Sequence, residues 1–168
     1  MAFEAVTDIR KLGKGDGAAL LDLLLKLDNE TKFMLMEPGE RVATPEDMER
    51  RLDAKADQSA YFGAYSGDLI GFVYITRGAA NRTKHSAYIV MGILSAHGGK
   101  GLGGLLLARA QDWAKQHGIT RLELTVMVNN TNAVKLYEKV GFVKEGVKRR
   151  SCLVDGEYVD EFYMGKLI

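Results

Sequence analysis

Hydrophobic residues along the chain fall into short alternating runs and into longer runs with helical spacing. Side chains on one face recur at every second residue of a strand and at about every 3.6 residues of a helix, so the two kinds of run predict strands and helices. The predicted strands are 3–12, two within 59–78, 85–94, 121–128 and two within 141–168, and the predicted helices are 15–30, 44–56, 102–117 and 129–140. The predicted order is β-α-α-β-β-β-α-β-α-β-β.

Residues with special backbone preferences mark several boundaries. Thr44 is a natural N-cap followed by Pro45 at the first helical position, and Asp16 is a candidate N-cap for the first helix. The Asp-Gly pair at 155–156 predicts the turn of the final hairpin. The run 85–94 is apolar on both faces, which predicts a central strand that is buried on both sides.

The order of the elements predicts an α/β fold in which one mixed, mostly antiparallel sheet is flanked by helices. Only the segment from 85 to 128 has the pattern of a strand–helix–strand crossover, whereas the other strands form hairpins. Because no repeat, low-complexity tract or linker divides the chain, we expect residues 1–168 to form a single domain.

Composition narrows the classes of function. The net charge of +1 does not indicate a nucleic-acid or membrane-surface protein, and no apolar run approaches the roughly 20 residues of a bilayer span. The only cysteine is Cys152, which precludes an internal disulfide, and the N-terminal residues lack the apolar core of a signal peptide. We therefore expect a cytoplasmic protein with no nucleic-acid or membrane partner. No Cys, His and Asp spacing suggests a metal site.

The segment HGGKGLGG, residues 97–104, is the densest glycine cluster and lies between a predicted strand and a predicted helix. Its third, fifth and eighth residues spell the dinucleotide fingerprint G-x-G-x-x-G, and an acid, Glu123, follows about 20 residues later. That interpretation requires repeated strand–helix–strand units, and the antiparallel first half of the chain counts against it. A nucleoside-triphosphate loop is excluded because no Ser or Thr follows Lys100.

A third interpretation of this glycine loop is a cradle for the pyrophosphate of coenzyme A. Backbone N–H groups of the loop and of the first helical turn would donate to phosphate oxygens, and the helix dipole would add to the attraction. Glycines let the backbone come close because they carry no Cβ. The loop alone does not decide between the dinucleotide and the coenzyme A interpretations.

A second motif, NNTNAVKLYEKV followed by Gly-Phe, occupies the helix predicted at 129–140. Together with GKGLGGLLLARAQDWA it resembles the GNAT family of acetyl-CoA-dependent N-acetyltransferases, whose loop pattern is Arg/Gln-x-x-Gly-x-Gly/Ala and whose later helix reads Asn-x-x-Ala-x-x-Leu-Tyr. The matching residues are Asn130, Ala133, Leu136, Tyr137, Gly141 and Phe142. The resemblance is strong from residue 84 to the end, where it is similar to polyamine, ribosomal-protein and small-amine acetyltransferases. Residues 1–80 match in pattern only.

The resemblance implies a GNAT fold and acetyl-CoA as the co-substrate. It implies coenzyme contacts at the end of the strand 85–94, along the glycine loop and in the helix at 129–140. These residues are Met91, Gly92, Ile93, Leu94, Gly98, Gly99, Lys100, Gly101, Leu102, Gly103, Gly104, Asn130, Asn132 and Tyr137. The family splays its central strand from a neighbour with a bulge, and a glycine in that strand is consistent with a bulge or with close backbone approach. Asn130 is also a natural helix cap.

The chain departs from the family pattern at Gly98, where the family has Arg or Gln. A side chain beside the pyrophosphate is therefore missing, and Lys100 is expected to replace part of its charge. Because most of the donors are backbone N–H groups, we expect coenzyme binding to survive this departure.

The implied reaction is attack of an amine on a thioester. It needs a neutral amine, donors for the oxyanion and a proton for the thiolate. The resemblance implies that Tyr137 donates the proton, whereas the spacing alone also fits a core residue in a stripe with Ala133 and Val140. A backbone N–H within 91–94 is the expected oxyanion donor.

Glu30 and Glu37 are the candidates for the general base. They bracket the segment ETKFMLME, where the family places residues that face the acceptor. Glu123, Asp160 and Glu161 are alternative carboxylates, and His85 is a candidate start of a water relay.

The resemblance thus implies an N-acetyltransferase that transfers an acetyl group within a ternary complex. The expected acceptor is a small-molecule amine (a polyamine, an amino acid or an antibiotic amine) or a protein N-terminus. Two alternatives stay open, namely a non-catalytic acyl-CoA sensor with the same fold and a dinucleotide-binding domain. Edge strands in this fold also suggest a homodimer.

Overall fold

A computed structural model describes residues 8–168, and within this range the elements follow the predicted order. The strands are β1 (Asp8–Lys11), β2 (Ser59–Ser66), β3 (Asp68–Arg77), β4 (Ser86–Ile93), β5 (Arg121–Met127), β6 (Val143–Val154) and β7 (Glu157–Leu167). The α-helices are α1 (Gly17–Glu30), α2 (Pro45–Leu52), α3 (Leu102–Gln116) and α4 (Thr131–Lys139). The predicted first strand, 3–12, begins in residues 1–7, which lie outside the described residues.

The seven strands form one sheet in the order β1-β2-β3-β4-β5-β7-β6. Every neighbouring pair is antiparallel except β4 and β5, which are parallel. The parallel pair is joined by α3, because parallel neighbours need a crossover rather than a tight turn. The prediction of a mixed, mostly antiparallel sheet is therefore confirmed.

Helices cover the two faces of the sheet and create a separate apolar cluster on each. The helix α1 buries Leu20, Leu23 and Leu27 together with Met48 of α2 against one face. The helices α3 and α4 bury their apolar sides, including Trp113, against the other face. Within residues 8–168, no helix is long and apolar enough to cross a membrane.

The N-terminal ends of the first two helices are stabilised in different ways. Thr44 and Asp47 form a capping box, in which the Thr44 hydroxyl accepts from the Asp47 N–H at 3.2 Å and the Asp47 carboxylate accepts from the Thr44 N–H at 2.7 Å. This confirms the predicted cap. Asp16 stands at the N-cap of α1, but its side chain makes no capping bond. It accepts instead from the Arg10 guanidinium, at 2.9 and 3.0 Å, and from a loop N–H.

The strand β4 is central but is not buried on both faces, so that part of the prediction is wrong. Ala87 and Ile89 are buried under α3, whereas Tyr88 is half-buried and Val90 is 38% exposed on the opposite face. On that face α1 packs over β3 and leaves the neighbouring strand partly open.

Gly92 marks a close approach rather than a bulge. The pairing of β3 with β4 has no shift in register, so the expected bulge is absent from this pair of strands. A Cβ at position 92 would lie 2.8 Å from Leu27 Cδ1 and 3.0 Å from Phe72 Cε1. Only glycine lets α1 sit this close to β4 without displacing those side chains.

Gly103 and Gly104 are adjacent in the first turn of α3 and provide a matched test of helix packing. A Cβ at Gly103 would lie 2.5 Å from Leu136 Cδ2 of α4, whereas a Cβ at Gly104 would have no atom within 4 Å. We expect Gly103→Ala to lower the free energy of unfolding by about 1 kcal/mol or more through overpacking. Gly104→Ala should raise it by about 0.5–1 kcal/mol, because alanine favours a helix. Urea denaturation of both variants measures the difference, and equal effects would contradict the packing described.

Candidate active site

The glycine loop connects β4 to α3 through two residues that require glycine. A short 3₁₀ turn at Ser95–His97 follows β4, and Gly98 continues with an extended backbone. Gly99 and Gly101 have φ angles of +70° and +81°, a region that side-chain-bearing residues rarely adopt. Gly101 is also the N-cap of α3, so the tight turn delivers the chain directly into the helix.

The N-terminus of α3 is arranged to accept an anion. The N–H groups of its first turn, from Leu102 to Gly104, have no acceptor within the helix, and they carry the positive end of the helix dipole. No acidic residue lies in this turn to neutralise it. Phosphate groups bind at helix N-termini for these reasons. The Lys100 ammonium lies in the same loop, where it donates to the Ala96 carbonyl at 3.3 Å.

The glycines of the loop differ in the space around them. A Cβ at Gly98 would meet only the Ser95 carbonyl oxygen, at 3.4 Å, and φ there is −69°. The departure from the family pattern at this position is therefore not imposed by space or by backbone conformation. Gly103 instead faces Leu136 and provides room for α4, so its own packing accounts for the glycine.

A gap opens between β4 and β5 beside this loop. The two strands pair only from Ser86↔Arg121 to Tyr88↔Glu123, although they continue to Ile93 and Met127. Each keeps its outer partner along its whole length, β3 for β4 and β7 for β5. The splayed arrangement expected of the central strand is therefore present. At its narrow end the hydroxyls of Tyr88 and Thr125 share a hydrogen bond of 2.7 Å across the gap.

Backbone direction decides which groups of β4 face the gap. The Leu94 N–H donates to the Ile70 carbonyl of the β3 side at 2.9 Å. Since N–H groups alternate along a strand, the N–H of Gly92 also points toward β3 and those of Met91 and Ile93 point toward the gap. Of the four residues predicted at 91–94, two thus have amides free of strand pairing and two do not.

Tyr137 lies on α4 with its side chain buried between that helix and the sheet. It is 7% exposed, and its ring meets Phe142 edge-on with centroids 5.8 Å apart. Burial raises the pKa of Tyr137 to about 12, and the nearby Tyr88 adds to the shift. Tyr137 is therefore a neutral hydroxyl at physiological pH. The packing predicted from spacing is present, and it does not exclude a chemical role for the hydroxyl.

The two asparagines before α4 have different environments. The Asn130 side chain caps the helix, with Oδ1 accepting from the Ala133 N–H at 3.4 Å. Asn132 is exposed in the first turn. The capping role predicted for Asn130 is confirmed, and contact of either residue with a coenzyme stays a prediction.

A cavity of about 500 Å³ lies on the face of the sheet that carries α1 and α2. Its walls are the end of α1 with the loop that follows, the tip of the β6–β7 hairpin, and Met127 at the end of β5. Met34 in the loop also lies 3.4 Å from the Cβ position of Gly92. The cavity therefore adjoins the ends of both strands that border the gap.

The two carboxylates predicted as bases both line this cavity, but their bonds differ. Glu30 Oε1 accepts from the Ser95 N–H at 2.6 Å and so connects α1 to the turn after β4. Glu37 is exposed, and its carboxylate has no hydrogen-bond or ion-pair partner among residues 8–168. Glu37 is thus the one of the two that is available to a ligand.

The alternative acids each have a hydrogen-bond partner of their own. Glu123 is bonded to Arg121 at 3.0 Å, and Asp160 accepts from the Arg150 N–H at 2.7 Å. Glu161 accepts from the Ser151 hydroxyl. His85 lines a different depression, with Arg121 and Glu123.

Two features of the site were not found from the sequence. The first is the ion pair between Lys32 and Asp155, which links the loop after α1 to the tip of the last hairpin at the cavity. The second is the hydrogen bond between Tyr88 and Thr125. No local pattern marks either one, because both depend on which strands become neighbours.

Comparison with known proteins identifies the family. The profile of the Acetyltransferase (GNAT) family matches residues 21–142. The chain belongs to this family. The family membership and the single parallel strand pair together remove the dinucleotide-binding interpretation, since that fold needs a mostly parallel sheet.

Individual GNAT proteins resemble the chain to different extents. The crystal structure of a GNAT acetyltransferase from Streptococcus pneumoniae superposes with a TM-score of 0.92 at 36% identity, covering 96% of this chain and 99% of that one. L-amino acid N-acetyltransferase AaaT of Escherichia coli K12 is 32% identical over 60% of this chain and 63% of its own length. Spermidine N(1)-acetyltransferase of Vibrio cholerae is 29% identical over 90% of this chain and 87% of its own.

The raised pKa of Tyr137 makes a prediction about alkaline stability. Its folded value of about 12 exceeds the ordinary 10.0, so its contribution is complete below pH 10 and is lost as the pH rises through 12. Relative to Tyr137→Phe, the wild type should therefore lose about 2 kcal/mol more stability over that interval. Urea denaturation at several pH values measures the difference. Tyr163→Phe, at an exposed tyrosine, is the control and should leave the wild-type slope unchanged.

Proposed function

We propose that the chain is an N-acetyltransferase that transfers the acetyl group of acetyl-CoA directly to a primary amine within a ternary complex. We also propose that residues 1–168 form one acetyltransferase domain. The observation that carries the proposal is the position of the β4–β5 gap, which has an anion-binding loop at the end of β4 and a cavity with an unpaired carboxylate beside it.

The residues around the gap fit the parts of coenzyme A. The N–H groups at the start of α3 suit the pyrophosphate, and the open surface over Gly99 and Gly101 lets it come close. The unpaired amides of Met91 and Ile93 suit the amide groups of the pantetheine arm, which would take the place of the missing strand partner. The proposed contacts with coenzyme A also include Asn130, Asn132 and Lys100.

Bound acetyl-CoA supplies a thioester carbonyl, and transfer exchanges its C–S bond for a C–N bond, releasing the thiol of coenzyme A. The residues of this chain have three tasks. They hold the amine in its neutral form, stabilise negative charge on the carbonyl oxygen and return a proton to the sulfur.

Tyr137 is the proposed proton donor to sulfur. Its hydroxyl is kept protonated by burial, and it belongs to α4, which packs beside the gap. One of the two unpaired N–H groups, that of Met91 or that of Ile93, is the proposed donor to the carbonyl oxygen, and the other is left for the pantetheine arm, since both face the gap beyond the paired part of the strands. A fixed backbone donor costs no rearrangement when charge develops.

Glu37 is the proposed base, either directly or through water, because its carboxylate is unpaired and lines the cavity. Glu30 is instead proposed as a positioning residue, since its bond to the Ser95 N–H fixes the turn that leads into the glycine loop. Both carboxylates also make the cavity attractive to a cationic amine.

The cellular location, the oligomeric state and the acceptor are also proposals. A cytoplasmic location and a homodimer fit the family, and the exposed edge strand β6 offers a surface for pairing between copies. The acceptor is proposed to be a small amine or a protein N-terminus.

The first test compares wild type with Tyr137→Phe. Wild type should release thiol from acetyl-CoA only when an amine is added, and the variant should lower kcat by about 100-fold or more while the KM for acetyl-CoA changes little. Thiol release and calorimetric binding of acetyl-CoA provide the two readouts, with Tyr163→Phe as the matched control. Binding without turnover on any amine would indicate an acyl-CoA sensor, and an unchanged kcat would remove the role of Tyr137.

The second test separates the two carboxylates. Glu37→Gln should lower kcat/KM for the amine by about 100-fold and leave the KM for acetyl-CoA unchanged, because a base is lost. Glu30→Gln should be nearly neutral, since its amide oxygen still accepts from Ser95, whereas Glu30→Ala should raise the KM for acetyl-CoA by about 10-fold. Steady-state kinetics measure all three variants. A large loss of kcat in Glu30→Gln with none in Glu37→Gln would reverse the assignment.

A further inference from the structure

Half of the residues that line the cavity beside the gap are apolar. They are Met34, Leu35, Met36, Pro38, Met127, Cys152, Leu153 and Val154. Thioether and aliphatic groups of this kind adapt to the apolar part of a ligand. These side chains therefore suit an aliphatic segment in the ligand.

Two of the four acids that line the cavity are paired with cations. Asp28 is bound on both oxygens by Arg41, at 2.6 and 3.0 Å, and Asp155 is paired with Lys32. Glu30 accepts from a backbone N–H, which leaves its negative charge in place, and the Glu37 carboxylate has no partner among the described residues. The cavity therefore keeps negative charge that matches an ammonium group.

The cavity also lacks a cation that could receive a carboxylate. Among the described residues that line it, Lys32 is the only lysine or arginine, and its ammonium is held by Asp155 across the rim. Arg41 lies behind the wall and is committed to Asp28, with side chains 10% and 1% exposed. A carboxylate moved from water into this cavity would lose hydration without gaining a charged partner.

We infer that the acceptor is a primary amine with an aliphatic body and no carboxylate. This inference rests on the proposed function and specifies the acceptor class of that same cavity. It sets the chain apart from its relative named for L-amino acids, because a free amino acid brings a carboxylate that this cavity does not match.

A series of three amines tests the inference. Butylamine, 1,4-diaminobutane and 4-aminobutanoate share a four-carbon chain and a primary amine but end in a methyl, an ammonium and a carboxylate group. Binding to the protein saturated with coenzyme A is measured by calorimetry, and thiol release from acetyl-CoA is measured separately. Butylamine and 1,4-diaminobutane should each exceed 4-aminobutanoate by at least about 10-fold in affinity and in kcat/KM.

Two variants test the cause of the selectivity. Asp155→Asn frees the Lys32 ammonium while keeping a residue that tolerates the positive φ of 51° at this turn. Leu153→Arg adds a cation at a wall position that is 62% exposed. Each should raise the kcat/KM for 4-aminobutanoate relative to butylamine by about 10-fold.

The matched controls are Asp22→Asn, which frees Lys26 on the surface of α1, and Leu167→Arg, at a residue 79% exposed and outside the cavity wall. Neither control should change the ratio.

The two readouts separate failure of the inference from failure of the proposed function. Equal or tighter binding of 4-aminobutanoate than of the other two amines, or no binding of any of the three, overturns the inference. The expected order of binding without thiol release from any amine supports the acceptor class and overturns the acetyltransferase proposal. An unchanged ratio in both cavity variants also overturns the inference, since the missing cation would not be the cause.

Discussion

The strands β4 and β5 run parallel and paired for only three residue pairs and then separate. Each keeps its outer partner, so the sheet stays intact while the inner backbone groups of both strands are left without a strand to bond. The glycine loop and the N-terminus of α3 follow from the end of β4, and α4 packs on the same face as α3. The divergence therefore brings together unpaired amides, the N-terminus of a helix and a buried tyrosine, although their sequence positions are far apart.

The cavity on the other face of the sheet depends on the contacts made at the C-terminal end of α1. The salt bridge of Asp28 with Arg41 is buried, and removal of one partner from such a pair typically costs about 3–5 kcal/mol because an uncompensated charge remains. It fixes the start of the loop that walls the cavity. The exposed pair of Lys32 with Asp155 contributes little stability by comparison. Its main effect is electrostatic, because the two charges at the rim of the cavity neutralise each other.

Local patterns were sufficient for most of the fold and for the strand–loop–helix geometry at the glycine loop. Periodicity, the Thr44 cap and the Asp-Gly turn at 155–156 are short-range signals, and the glycine loop with the asparagine-to-tyrosine helix is a specific pair of motifs. The cavity was less accessible to sequence reasoning than the glycine loop. The Glu30–Ser95 bond joins residues that are 65 positions apart, and the tip of the last hairpin reaches the cavity only because β7 inserts between β5 and β6. The direction of each amide on β4 likewise requires the register with β3, which the sequence pattern does not specify.

Gly98 has an ordinary backbone conformation and open surroundings, so the fold does not require glycine at this position. A charged or a neutral side chain at position 98 can therefore be accommodated without repacking of the loop. A neutral residue leaves a larger share of phosphate recognition to backbone dipoles, which are fixed and close to their ligand. Mobile ions screen such short-range contacts less than they screen exposed side-chain charges. A phosphate bound at this loop would consequently lose less affinity with rising ionic strength than one bound at a loop with arginine at the same position.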